Sequence, residues 1–244
     1  RRGMRVILDG VFNHCGSFNK WLDREKIYAG RTGYEPGAYL DPGSPYRNFF
    51  KFSDENGWPD NGSYEGWWDH STLPKLNYEG SEELKQYILD IAKKWLSPPY
   101  NIDGWRLDVA DELPDDFIHG IHAAARQAKP EAVIIGEVWE DGSNKIAYGV
   151  RRRHILGGHC DGLMNYPLRS AILSYFSGGK AEDFVQSMET IRENYPPFAF
   201  YSAMNSLGTH DTPRILTLLG AGGERRDQSR DWRASFRLEG DALR

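Results

Sequence analysis

Short apolar runs that end in an acid or an amide, separated by stretches of helical period, constrain this chain more than any other feature. Met4-Arg5-Val6-Ile7-Leu8-Asp9 reads as a strand buried on both faces with its polar end at a loop. Ile102–Asp108, Ala132–Glu137 and Asp161–Asn165 repeat the design, and Ser202–Gly208 leads in the same way into Thr209-His210-Asp211. Between the runs, Ser81 is placed to cap a helix with Glu82 and Glu83 in its first turn. Its apolar stripe is Leu84, Ile88, Ile91 and Trp95, and Pro98-Pro99 stops it. A second helix, with Phe117, Ile121, Ala125 and Ala128, ends before Pro130, and further helices are predicted around Phe184, Met188 and Ile191 and from Pro213 to Leu219.

Strand alternating with helix implies a parallel sheet with right-handed crossovers. At least three of the five predicted strands carry a polar or charged group at the C-terminal end, where a (β/α)8 barrel builds its active site. The predicted fold is therefore α/β, a partial (β/α)8 TIM barrel. A doubly wound sheet is the rival, but no G-x-G-x-x-G or phosphate loop supports it. The stretch from 15 to 80 is rich in Gly, Pro, Asn, Asp, Tyr and Trp, lacks periodicity and is too long for a plain connection. It reads as a subdomain inserted after the first visible strand. The organisation expected is a barrel strand at 1–14, the insert at 15–80, barrel strands and helices at 81–219, and a charged, Gly-rich tail at 220–244 that reads either as disordered or as an artefact of truncation.

A length of 244 residues suits one large domain. The net charge of −5 gives no electrostatic footprint for nucleic acid or an anionic membrane, so neither is expected as a partner and a neutral one fits better. Two cysteines, Cys15 and Cys160, are too few for a disulfide scaffold and form no C-x-x-C pair. No apolar run approaches the roughly 18 residues of a membrane span. A cytoplasmic location is the expectation, any leader preceding Arg1 lying outside the sequence.

Asp108, Glu137 and Asp211 come from three different strand ends, with Arg106, His14 and His210 at neighbouring ends. A single acid at a strand end is commonly a solvated or capping group, but three converging on a barrel mouth suit glycosidic bond cleavage. That chemistry takes one carboxylate to attack and one carboxylic acid to protonate the leaving oxygen.

Four segments, Asp9-Gly10-Val11-Phe12-Asn13-His14, Gly104-Trp105-Arg106-Leu107-Asp108, Gly136-Glu137-Val138-Trp139 and Thr209-His210-Asp211, resemble in order the four short regions of the α-amylase family, glycoside hydrolase family 13. The resemblance implies Asp108 as nucleophile, Glu137 as acid/base and Asp211 as stabiliser of the distorted sugar. It implies His14 and His210 as hydrogen-bond donors to that sugar, Arg106 beside the nucleophile, and Asp9 orienting the arginine. The barrel portion implied is about strands 3 to 7. Leu73-Pro74-Lys75-Leu76-Asn77 and Val109-Ala110-Asp111-Glu112 are similar to the M-P-K-L-N and V-A-N-E of the neopullulanase, cyclomaltodextrinase and maltogenic amylase group. Leu73, Asp111 and Glu140 depart from that group's usual Met, Asn and His.

The activity implied is retaining hydrolysis of α-1,4 and also α-1,6 glucosidic bonds in maltodextrins, cyclodextrins or pullulan. A transferase or isomerase of the same family and a non-catalytic sugar-binding relative are the alternatives. Trp139 and Glu112 join the substrate-binding set, while Trp67 and Trp68 fit either sugar stacking or the insert's own core. No cofactor is expected. Asn13 is the single candidate calcium ligand, since many family members use that position and this group often lacks the site. An oligosaccharide is the expected partner, in a homodimeric whole protein.

Overall fold

The computed structural model describes residues 3–53, 64–220 and 229–237, and the chain divides into two compact units, Arg1–Gly136 and Glu137–Arg244. Each is described by itself.

The first unit holds three parallel strands, β1 (Ile7–Gly10), β2 (Gly104–Leu107) and β3 (Val133–Gly136), paired in that order. Asp9 faces Arg106 across β1 and β2, and Arg106 faces Ile135 across β2 and β3. Gly104 is needed where it stands, because a Cβ there would sit 2.2 Å from the Val133 carbonyl oxygen. β2 is buried throughout, in keeping with a central parallel strand. The expectation for the first run is corrected: it pairs from Ile7 rather than Met4, and Met4, Val6 and Ile7 are exposed. Among the described residues of this unit β1 pairs on one side only, so its apolar side chains lack cover from a second neighbour.

Helix α1 (Glu82–Leu96) starts as expected, the Ser81 hydroxyl accepting from the Leu84 amide at 3.2 Å. Its buried stripe is Leu84, Ile88, Ala92 and Leu96, one position round from the predicted Ile91 and Trp95. The indole of Trp95 turns out to meet Tyr100 at 4.4 Å. Helix α2 (Asp115–Ala128) packs on α1 and buries Phe117, Ile118 and Ile121, with a Lys85–Asp116 ion pair of 2.7 Å between the two helices. Just past α2, the buried Lys129 ammonium donates to the Ile102 carbonyl and to Asp103, both at 2.9 Å. Asp103 also accepts from the Val6 amide at 2.8 Å, so one ion pair ties β1, β2 and the end of α2 together.

Among its described residues the segment from 15 to 80 contains no α-helix, only two short 3-10 turns, Arg47–Phe49 and Trp67–Asp69, and isolated bridges. Residues 54–63 of the predicted insert lie outside the described residues. Apolar residues still give the segment a core: Trp21, Leu22, Phe49, Phe50 and Tyr64 are buried. Polar groups substitute for a regular ladder. Asp23, fully buried, accepts from the Ile27 and Tyr28 amides at 2.7 and 3.1 Å, and Arg24 donates to the Ser71 carbonyl at 2.7 Å.

The second unit carries a hairpin, β4 (Ile146–Ala147) and β5 (Val150–Arg151), turned by Tyr148 and Gly149, both at positive φ. That hairpin was not predicted. A two-residue strand β6 (Gly162–Leu163) follows, then α3 (Tyr166–Phe176), α4 (Ala181–Asn194), α5 (Pro197–Tyr201), α6 (Ile215–Gly220) and α7 (Arg230–Ser235). The fifth predicted strand, 202–208, is not one: a single parallel bridge, Met164 to Met204, takes its place. The short α5 consumes the approach to it, and the Ser202 carbonyl then presses so close to Gly162 that a Cβ there would lie 2.3 Å away. In the predicted disordered tail, 221–228 and 238–244 lie outside the described residues, whereas α7 is helical, with Ser229 capping it through the Trp232 amide at 3.1 Å.

Candidate active site

Strand pairing decides where the first acids go. Side chains alternate along β2, so Trp105 turns to α1, its indole donating to the Ala92 carbonyl at 3.4 Å, and Arg106 turns to the opposite face. There Arg106 Nη1 donates to Asp9 at 2.7 Å and to Asp108 at 2.6 Å. These are charge-assisted bonds on a side chain only 8% exposed, where screening by water is weak. The Asp108 carboxylate is 16% exposed and that of Asp9 44%, so the former is the sheltered partner. Directly after Asp108 the backbone turns sharply: Val109 sits at φ 40 and ψ 55, a left-handed conformation that a β-branched residue adopts only under strain. The chain then enters the 3-10 turn Ala110–Glu112.

Glu112 faces the insert. It accepts from the Trp68 indole at 3.2 Å, and Lys75 lies 3.5 Å from its second oxygen and 3.2 Å from Glu65. Lys75, inside the L-P-K-L-N segment, is a polar member of this cluster that the sequence reading quoted without assigning it a role. Trp68, 72% exposed and at positive φ, is neither core nor buried, so the insert-core alternative fails for it.

His14 bridges to Lys75, with the Leu76 amide donating to the Asn13 carbonyl at 2.9 Å and the Cys15 amide to the Pro74 carbonyl at 3.0 Å. Its imidazole stacks on Trp67, centroids 5.0 Å apart and planes 12° apart. Burial holds the His14 imidazole below its ordinary value, against the opposing pull of Asp108 and Glu112. Asn13 is buried, its side-chain nitrogen 3.3 Å from His14 Nδ1. Around it, the side-chain amide nitrogen of Asn13 is turned to His14, its backbone carbonyl accepts from the Leu76 amide, and the Lys75 ammonium stands between Glu65 and Glu112. Among the described residues no group of three or more His, Cys, Asp or Glu is placed to hold a metal.

The second unit opens on Glu137, 4% exposed. Two residues on, Trp139 stacks on Tyr166 with centroids 4.2 Å apart and planes 3° apart. Tyr166 is buried and Trp139 is 46% exposed, so one face of the indole is backed and the rest is open. Asn165 sets Tyr166 by capping α3 through the Leu168 amide at 3.1 Å, and it donates to Asn205 at 2.9 Å. Tyr166 was missed in the sequence because an aromatic at a helix start looks like core. Glu140 pairs with Lys145. His210 and Asp211 lie 3.3 Å apart on a loop, and the Asp211 amide donates to the Thr209 hydroxyl at 3.2 Å. Among the candidate groups the structure thus brings together Asp9, Arg106 and Asp108; His14, Glu112 and Lys75; and His210 with Asp211.

Acids at the ends of parallel strands, one of them locked to an arginine, define an α/β protein with a strand-end site. The chain belongs to the α-amylase catalytic-domain family, which matches residues 1–239. Membership implies a (β/α)8 barrel, and the parallel strands seen here are part of one. The chain is 34% identical over 252 residues to the amylopullulanase of Thermoanaerobacterium saccharolyticum, covering 90% of this chain and 18% of that protein. It is 33% identical over 230 residues to the cyclomaltodextrinase of Geobacillus thermopakistaniensis, covering 90% and 34%. Among solved structures, the cyclic α-maltosyl-(1→6)-maltose hydrolase from Arthrobacter globiformis superposes with a TM-score of 0.73 at 28% identity, covering 89% of this chain and 45% of that one. The chain therefore spans at most about a third of these curated relatives. Among the described residues no helix is long and apolar enough to cross a membrane.

Proposed function

We propose that this chain carries the catalytic groups of a retaining α-glucan hydrolase acting on maltodextrins, cyclodextrins or pullulan. Asp108 attacks the anomeric carbon as Glu137 gives its proton to the leaving glycosidic oxygen, and a covalent glycosyl ester forms. Glu137 then takes a proton from water, the water oxygen attacks the same carbon, and Asp108 leaves with its electron pair. Two inversions at one carbon restore the α-configuration. Asp211 faces the positive charge that develops on the sugar, and His14 and His210 hydrogen-bond its hydroxyls. Trp139 offers a flat apolar face to the next sugar.

The observation that carries the reading is the Arg106 clamp on Asp108, which fixes a carboxylate against a cation at the end of a buried strand. Different surroundings suit the two acids to different roles: Asp108 is paired with a cation, and Glu137 is almost wholly buried. Relatives named cyclomaltodextrinase and neopullulanase support the substrate class. The segment 15–80 is read as the insert that shapes the substrate cleft. Glu112 and Glu140 fall on the acceptor side in this reading, the place where hydrolysis and transfer diverge.

Asp108→Asn and Glu137→Gln in the whole protein should each lower kcat by several orders of magnitude with folding unchanged. Turnover at the wild-type level in either variant overturns the assignment. Maltotriose and β-cyclodextrin digests, run with and without added acceptor, separate the two activities. Glucose and maltose are expected, and dominant transfer products would favour a transferase.

A further inference from the structure

Helix α4 runs out into Asn194-Tyr195-Pro196-Pro197, and the prolines decide where the tyrosine goes. A residue before proline is pushed out of the helical region. Tyr195 accordingly sits at φ −92 and ψ 137, its amide still closing the last turn on the Ile191 carbonyl at 3.0 Å. Its side chain is buried, and its hydroxyl accepts from the Gly142 amide at 3.0 Å. Asn194 beside it donates to one oxygen of Asp141 at 2.6 Å, and the other oxygen accepts from the Ser143 amide at 2.9 Å. Gly142 also lies against the buried Leu163 of β6, so closely that a Cβ would stand 2.3 Å from the leucine Cδ1.

The reaction as written uses none of these groups. A buried backbone amide needs an acceptor, yet here it comes from a side chain 53 positions along the chain. The choice makes sense in view of what else the helix pair holds. α3 and α4 pack on each other and are joined by residues 177–180 alone, so they run antiparallel and the start of α3 falls beside the end of α4. That end of the pair carries both Tyr166, which backs the Trp139 indole, and Tyr195, which holds Gly142. The segment Trp139-Glu140-Asp141-Gly142 is thus gripped at its first and last residues.

We propose that Tyr195 is a positioning residue, which with Asn194 fixes the far end of this segment so that the open Trp139 face lies ready for a sugar on the acceptor side. The inference rests on the catalytic reading given above and adds to it what governs that side. Stacking on Tyr166 alone leaves the indole free to slide and tilt, because ring contacts are weakly directional, whereas a hydrogen bond to Gly142 fixes the backbone three residues on. Glu137 is seated separately, directly after the buried strand β3. The grip therefore bears on the sugar that leaves in the first step, and on one that competes with water in the second, more than on the acids that break the bond.

The test compares Tyr195→Phe with wild type in the whole protein on two substrates. Maltotriose places its leaving sugar on the acceptor side, while α-maltosyl fluoride has a single atom as its leaving group. Tyr195→Phe should raise KM for maltotriose by about two- to tenfold, the worth of one stacking contact, with kcat/KM for the fluoride within about twofold of wild type. Transfer to added maltose should fall in parallel. Equal losses on both substrates would mark a merely structural role, and no change on either would show the bond to be idle; each result overturns the proposal. Should Tyr195→Phe fail to fold, Asn194→Ala, which deletes only the exposed bond to Asp141, takes its place: KM for maltotriose should rise in the same direction, and a wild-type KM overturns the proposal. Failure of the catalytic reading shows elsewhere, as Asp108→Asn hydrolysing α-maltosyl fluoride at full rate, and the comparison of the two substrates in Tyr195→Phe is read without regard to which acid attacks.

Discussion

One nitrogen of Arg106 serves two carboxylates, Asp9 at 2.7 Å and Asp108 at 2.6 Å, and a flexible ammonium cannot copy that placement. Arg106→Lys is therefore expected to lower kcat by about a hundredfold while circular dichroism stays native, because a nucleophile misaligned by roughly 1 Å loses that much. A variant within threefold of wild type would show that Asp9 and the strand suffice. Tyr166→Ala should act differently: it removes the backing from the Trp139 face, so KM should rise several-fold with kcat little changed. Asp108 and Glu137 were legible as strand-end acids because each directly follows an apolar run that forms a strand, whereas Asp211 follows no strand and was visible only in the Thr209-His210-Asp211 segment. The supports were not. Lys75, Trp67 and Tyr166 act through partners 61, 53 and 27 positions away in the chain, as the arithmetic 75−14, 67−14 and 166−139 gives. Nothing in local pattern or charge announces a partner at such separations.

Where the backbone leaves β2, the left-handed Val109 lets Asp108 face Arg106 and sends Glu112 toward the insert within four residues. Val109→Gly relieves the strain but loosens the unfolded chain, so stability should change by no more than about 1 kcal/mol in denaturant melts. Turnover should fall all the same, since the turn that aims Asp108 becomes pliable. At the start of α1, Ser81→Ala deletes the cap on the Leu84 amide and should cost about 1 kcal/mol. An unchanged denaturation midpoint would mean that packing of α1 on α2 alone fixes that end. Helices with caps and prolines were readable to within a residue or two, although the buried stripe of α1 turned by one position, since Ala92 and Leu96 compete equally well for the inward face. The run at 202–208 looked like its predecessors and is reduced to a bridge at Met204, because pairing depends on what the preceding α5 leaves free. The β4–β5 hairpin rests on Tyr148 and Gly149 at positive φ, a turn that lacks the Asn-Gly or Asp-Gly signal.

Both units keep weak acids out of water, and this fixes their shared response to alkali. Burial pushes the Cys15 thiol up to about 12 from 9.0 and the Tyr195 phenol up to about 12 from 10.0, and it raises Tyr78 as well. Each group is held neutral in the fold. Its contribution is whole below the unfolded value and drains away as pH rises toward the folded one, once the unfolded chain alone can ionise. Stability should hold from pH 8 to about pH 9 and fall between pH 9 and 12 in both units, which denaturant melts at pH 8, 9.5 and 11 would reveal. Equal midpoints at pH 8 and 11 would contradict the burial of these groups. Cys15 carries a second consequence, in labelling kinetics. The thiolate is the reacting species, so near neutrality an alkylating reagent should find this sulfur almost inert while the ladder of the Cys15 amide to the Pro74 carbonyl is closed. Each modification would then record one opening of that ladder. The rate of mass gain at Cys15, followed with and without a bound maltodextrin, would thus time the breathing of the wall behind His14, with no probe added to the chain.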